Sequence, residues 1–213
     1  MNGMYQITQT GRRADVYIFG NISRSAWYRG DKSAVGLIDE VKQLDADEIH
    51  LHINSMGGSV PEGWAMYNAL CEHPAKIVTY ADGFVASAAL YPYLAGDERI
   101  ANSTSVFFFH ETITFAKGYA DDLRKAADQV DIVTNIGINA FVERTGQTKE
   151  YIQKLMKAET WMAPDDALAM NLATAIRSGD SGPAYAQDAV NALFRAVKQE
   201  AKAPENRIKK FFA

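Results

Sequence analysis

The chain alternates between stretches with a two-residue hydrophobic period and stretches with a 3.6-residue one. Residues 14–20, 48–53, 76–80 and 106–110 are short runs rich in β-branched and aromatic side chains, and each predicts a strand. Between them, residues 33–44 place Val35, Leu37, Ile38 and Val41 on one stripe, a helical pattern. Residues 61–70 predict a second helix, with Pro61 in its first turn. Strand and helix in alternation predict an α/β domain with parallel pairing and right-handed crossovers. Beyond residue 110 the pattern changes. Residues 112–115 predict another extended segment, ended by Gly118. Residues 120–144 then carry Leu123, Ala126, Ala127, Val130, Val133, Ile136, Ala140 and Phe141 on one stripe. Such a helix is long enough to project from the domain and pack on another subunit. Residues 149–157 predict a short helix, residues 159–162 an extended segment, and Pro164 opens one more helix. Residues 178–183 have the composition of a linker. It divides a domain over residues 1–177 from a C-terminal part, residues 178–213, with a helix at 187–203 and a basic, aromatic tail at 207–213.

Chemistry can reside at a few points of this pattern. Ser87 follows the turn residues Ala81-Asp82-Gly83 and precedes the helix-favouring Ala88-Ala89-Leu90-Tyr91. It falls in the first turn of a helix, where N–H groups lack intrahelical partners and negative charge is favoured. A hydroxyl there serves as a nucleophile beside its own oxyanion donors, or as an N-cap or small packing residue. Asn54-Ser55-Met56-Gly57-Gly58-Ser59-Val60 joins strand to helix through a glycine pair. That is either a plain connection or a place where bare N–H groups approach a ligand. His110 ends a strand after three phenylalanines, as a bonded rim residue or as a general base. His50 and His52 alternate on one strand face with no third ligand nearby, so a partly exposed sheet face accounts for them better than a metal site. With the carboxylate of Glu159, these positions supply the parts of a serine hydrolase: nucleophile, base, orienting acid and N–H donors. The Gly-x-Ser-x-Gly elbow of the α/β-hydrolases is absent, since Ala86 and Ala88 flank Ser87.

Composition narrows the classes. A chain of 213 residues, 47% hydrophobic, can bury the core of one large domain. Its net charge of −4 gives no footprint for nucleic acid. No stretch approaches a membrane span, and residues 1–11 hold no apolar signal region. The single cysteine, Cys71, excludes an internal disulfide framework and fits a reducing, cytoplasmic setting. Its place in an apolar helical pattern predicts a buried structural thiol.

In their order these motifs resemble the ClpP-like serine protease family, the proteolytic subunits of Clp proteases, and most closely its phage- and prophage-encoded head-maturation members. Ile53-Asn54-Ser55-Met56-Gly57-Gly58-Ser59-Val60 is similar to the family's Ile-Asn-Ser-Pro-Gly-Gly-Ser-Val. Gly83-Phe84-Val85-Ala86-Ser87-Ala88-Ala89 is similar to its Gly-x-Ala-Ala-Ser-Met-Gly. Ala101-Asn102-Ser103 leading to His110 resembles Pro-Asn-Ser-x-x-x-x-His with two extra residues. Glu159-Thr160-Trp161-Met162 resembles Asp-Arg-Phe-Leu/Met. The resemblance spans residues 14–176.

It implies a ClpP/crotonase-like α/β fold of stacked ββα units, with a protruding strand–helix handle at residues 111–115 and 120–144. It implies Ser87 as nucleophile, His110 as general base and acid, and the N–H groups of Gly58 and Ala88 as oxyanion hole. Glu159 would be the orienting acid, where the main family has aspartate. Asp165 and Asp166 are the alternatives for that role, and otherwise read as first-turn helix acids. The activity implied is a serine endopeptidase acting on unfolded or extended polypeptides, bound as an added β-strand. The site would lie inside a heptameric ring, stacked in pairs, with no metal and no cofactor. The phage members imply a prohead or capsid precursor as substrate. In the family an ATP-driven unfoldase docks on the ring. Residues 1–13, short and without an apolar segment, predict a protease that works without one. The tail would instead reach a neighbouring subunit or assembly partner through Ile208, Phe211 and Phe212. Two other classes share the fold: a crotonase-type acyl-CoA enzyme, which needs no serine–histidine pair, and a catalytically idle ring component.

Overall fold

Four parallel strands carry the molecule: β2 (Arg13–Phe19), β3 (Glu48–Ser55), β4 (Lys76–Ala86) and β5 (Glu98–Asn102). In the computed structural model, which describes residues 5–24 and 33–177, β1 (Tyr5–Thr10) adds antiparallel to β2, and β8 (Ala175–Arg177) adds parallel to β5. The order is β1-β2-β3-β4-β5-β8. The expected linker, helix and tail at 178–213 lie outside the described residues. The strand–helix alternation read from the sequence is the observed one, with α1 (Ala34–Lys42) and α2 (Val60–Cys71) as crossovers. Val16, Ile18, Ile49, Leu51 and Ile53 turn one strand face to these helices and are fully buried. Leu37, Val41, Met66 and Leu70 close over Leu51 from the helical side. Period-two and period-3.6 patterns thus meet in one core.

The expected turn at Ala81-Asp82-Gly83 is continuous strand instead. β4 changes partner there: Val78–Ala81 pair with β5, and Phe84–Ala86 pair with β6 (Val106–Phe108). On its other side the register with β3 shifts between Ile53 and Ser55. Gly83 marks a close approach and not a reversal. A Cβ there would stand 2.6 Å from Asn54 Oδ1, and that oxygen accepts the Phe84 N–H at 3.0 Å.

Three further expectations change. Residues 5–10 form an edge strand that the sequence hid, because only Tyr5 is buried and polar residues fill most outward positions. Residues 112–115 form no strand. Ile113 and Phe115 stand exposed, with no ladder partner among the described residues, and an extended segment is a strand only when another strand pairs with it. Cys71 is exposed and not buried, because it lies off the stripe of Gly63, Met66 and Leu70 that α2 buries.

Beyond β4, Ser87–Ala89 form one 3-10 turn that leads into α3 (Leu90–Leu94). The long α4 (Ala120–Thr145) buries residues only from Thr134 onward. After it come α5 (Lys149–Lys157), β7 (Trp161–Met162), antiparallel to β6, and α6 (Pro164–Ala169). Arg99, itself buried, ties these ends together. It donates to the carbonyls of Gly96, Asn171 and Leu172 at 2.9–3.0 Å. Arg144 at the end of α4 donates to Leu94 O at 2.8 Å and also reaches Gly96 O. Two guanidiniums therefore satisfy the orphan carbonyls where α3 ends.

Candidate active site

The site begins with a backbone conformation. Ser87 has φ 55°, a left-handed geometry that is costly for a residue with a Cβ and tends to occur where function holds it. Ala86 ends β4 in extended conformation, and the helical turn starts at once, so the Ser87 side chain is displayed at a strand-to-helix corner. Gly57 makes room for it. Its φ is +93°, and a Cβ there would stand 2.7 Å from Ser87 Cβ and 2.9 Å from Ala88 N.

The glycine pair is pinned from both sides. Ser55 Oγ donates to Gly20 O at 2.6 Å and accepts the Gly57 N–H at 3.1 Å. Ile22 N–H donates to Gly57 O at 2.8 Å, and Ser59 N–H to Ile22 O at 2.9 Å. In that parallel bridge the Gly58 N–H takes no part and points away from Ile22. Ala88 is the second residue of its helical turn, so its N–H has no intrahelical partner. Asn54 and Ser55, to which the sequence pattern alone assigns no role, are thus the struts of the loop. Their signal lay in two short polar side chains just before a glycine pair.

His110 arrives on the other side. β6 lies alongside the last three residues of β4, Phe84–Ala86, and its continuation carries the imidazole to the serine. His110 Nε2 lies 2.7 Å from Ser87 Oγ. Burial pushes the imidazole below its ordinary pKa, while a backbone hydrogen bond with Glu111 and the charge of Glu159 pull it back up. Burial dominates, so the ring is neutral at pH 7 and can take the hydroxyl proton at Nε2.

The carboxylates separate by register. In the β6–β7 pair Phe107 faces Met162 and Phe108 faces Trp161. Phe109 N–H then donates to Thr160 O at 2.9 Å. Carried one step further, this register would set His110 against Glu159, which has φ 48° and lies in the turn before β7. Glu159 is exposed and is the carboxylate side chain that acts on the His110 charge. Asp165 and Asp166 are exposed in the first turn of α6 and do not act on it.

His50 and His52 belong elsewhere. They lie on the sheet face away from α1 and α2, in a stack with Tyr17 and Tyr80. His52 Nδ1 is 2.8 Å from Asp82 Oδ2, and His50 Nδ1 is 2.9 Å from Tyr80 Oη. His50 is more buried than a partly exposed face suggests. Among the described residues no group of three or more His, Cys, Asp or Glu could hold a metal ion, and no helix is long and apolar enough to cross a membrane.

The fold and corner define a class: an α/β protein with a serine–histidine pair at a strand-to-helix junction beside a glycine turn. The Clp protease family profile matches residues 31–179, and the chain belongs to that family. It is 31% identical over 123 residues to the ATP-dependent Clp protease proteolytic subunit 2 of Mycolicibacterium paratuberculosis (strain ATCC BAA-968 / K-10). That match covers 57% of this chain and 62% of the relative, so the chain spans less than two thirds of the relative's length. Among solved structures, a mutant ClpP1 from Listeria monocytogenes has the same fold, with a TM-score of 0.64 over 78% of this chain and 92% of that one, at 20% identity.

Proposed function

We propose that this chain is a serine endopeptidase in which Ser87, His110 and Glu159 act as nucleophile, base and orienting acid. The observation that carries the reading is the 2.7 Å contact between Ser87 Oγ and His110 Nε2 at a left-handed serine. Neutral His110 takes the hydroxyl proton as Ser87 Oγ attacks the scissile carbonyl. The resulting oxyanion is met by the N–H groups of Gly58 and Ala88, which cost no reorganisation because the loop is already pinned. His110 then returns the proton to the leaving amine, and water repeats the cycle on the acyl-serine. Glu159 steadies the imidazolium formed between the two transfers. Met56 in place of the family's proline, and Ala88 in place of methionine, leave this chemistry intact, because it asks only for backbone N–H groups at those places.

The substrate is an extended polypeptide laid against the open edge of the Gly57–Gly58 loop as an added strand. The site works within an oligomeric ring, and the phage-type branch with a capsid-precursor substrate is part of the same reading. A crotonase-type enzyme would have no use for the serine–histidine contact.

Labelling with a fluorophosphonate tests the core of the proposal. The wild-type protein should take up one label on Ser87, and Ser87→Ala should lose both label and peptide cleavage, a drop of about 10⁶ in turnover. Cleavage by Ser87→Ala at near wild-type rate would exclude the serine mechanism.

A further inference from the structure

His110 has neighbours besides Ser87. Three rings lie nearly parallel beside the catalytic corner. The Phe108 and Trp161 ring centroids are 3.8 Å apart with 20° between planes, and Phe108 and His110 follow at 5.3 Å and 22°. The column arises from the register already described. Phe108 and His110 are two residues apart and share a face, and Trp161 sits directly across from Phe108 on β7. All three side chains are half-buried, so each ring covers its neighbour's face from water. A two-residue strand such as β7 has little ladder of its own, and the stack gives it a reason to be where it is.

We propose that Trp161 and Phe108 are positioning residues that fix the plane of the His110 imidazole against Ser87. The inference rests on the reading of Ser87 and His110 as nucleophile and base. An imidazole on a single bond can swing about χ2, and the useful range is narrow, because Nε2 must meet the serine hydroxyl while the other ring nitrogen keeps its own partner. A flat aromatic face removes that freedom without donating or accepting a hydrogen bond that would compete with either nitrogen. The same rings dehydrate the imidazole, in keeping with burial being the main cause of its lowered basicity. The chemistry asks only for an aromatic side chain at each position, and Glu159 lies two residues before Trp161, in the turn that leads into β7.

The test uses the intact protein and the rate of fluorophosphonate labelling of Ser87 against pH. Trp161→Leu should lower the plateau rate by about 10- to 100-fold, the usual effect of a small misplacement in a catalytic group. It should also move the acid limb to higher pH, because the imidazole regains water and with it basicity. KM for a peptide substrate should hold. Trp161→Phe, which keeps a ring, should restore both the rate and the pH midpoint. Met162→Val, on the same strand but outside the column, should leave the pH profile where it is. In the wild-type protein the His110 ring protons, assigned against His110→Gln, should be shifted upfield by the Phe108 face.

A folded Trp161→Leu protein with wild-type rate and midpoint overturns the proposal. So do unshifted ring protons in the wild type, a measurement that holds even where Trp161→Leu fails to fold. If the wild-type protein takes no label at Ser87, the protease reading fails instead, and the ring-proton shifts still decide the stack.

Discussion

At the scale of single residues the proposed role of Glu159 and the burial of His110 make two predictions. Glu159→Gln should cut turnover by about 10³–10⁴ with substrate binding kept, as happens when an orienting carboxylate is neutralised in other triads. Asp165→Asn and Asp166→Asn should leave turnover near wild type, because those side chains lie in the first turn of α6 and do not act on the His110 charge. Turnover measured on a short peptide separates the three. The second concerns pH. Burial lowers the His110 pKa, so the protonated, inactive form appears only below the ordinary histidine value. The acid limb of kcat/KM should therefore lie below about pH 6.5 and not at or above it. A limb above 7 would mean that the imidazole is wetter, or more strongly paired with a carboxylate, than its surroundings allow.

Elements were legible where one period dominated, and less so where a neighbour decided. β2, β3, α1, α2 and the start of β4 follow from patterns of buried residues that the chain displays openly. Ser87, His110, Gly57 and Gly58 could be picked out because chemistry asks for those residue types at strand ends. Gly83 misled, because a glycine reports permissiveness and not its use: here it admits the Asn54 carboxamide into a continuing strand. β1 was hidden because an edge strand buries little. Arg99 gave no local signal at all, since its partners are backbone carbonyls up to 73 residues away. Its role makes an element-scale prediction. Arg99→Met should leave several buried carbonyls without donors and cost about 3 kcal/mol. For a chain of this size that lowers the melting temperature by roughly 6–12 °C in a thermal scan. Lys at the same position, with a single point of charge, should recover only part of the loss. A melting temperature within the scatter of surface variants would show that the carbonyls find other donors.

At the scale of the whole molecule, the described residues carry large exposed apolar side chains. Ile113 is 74% exposed and Phe115 is 98% exposed on the segment after His110. Leu123, Ile132 and Ile136 are exposed along α4, which buries nothing before Thr134. Val130 and Val133, part of the stripe read from the sequence, are half-buried, so they are poor sites for testing assembly. An isolated half-helix of this length is marginal in water and needs a packing partner. The segment at 112–115 likewise exposes Ile113 and Phe115 and pairs with no strand among the described residues. A second copy, bringing the same helix and the same segment, would supply both deficits at once by self-complementary packing. The oligomeric ring proposed above then places its contacts on these residues. Ile132→Lys with Ile136→Lys changes positions exposed in the single copy, so fold and melting temperature should stay within the range of surface substitutions, about 0.5 kcal/mol. Sedimentation velocity should nonetheless show a smaller species than the wild type. Peptide cleavage should fall with it, because the segment after His110 would lose the neighbour that holds it beside the site. A wild-type protein that sediments as a 23.5 kDa monomer and cleaves peptide at full rate would remove the ring from the proposal, and the exposed face of α4 would then need another occupant.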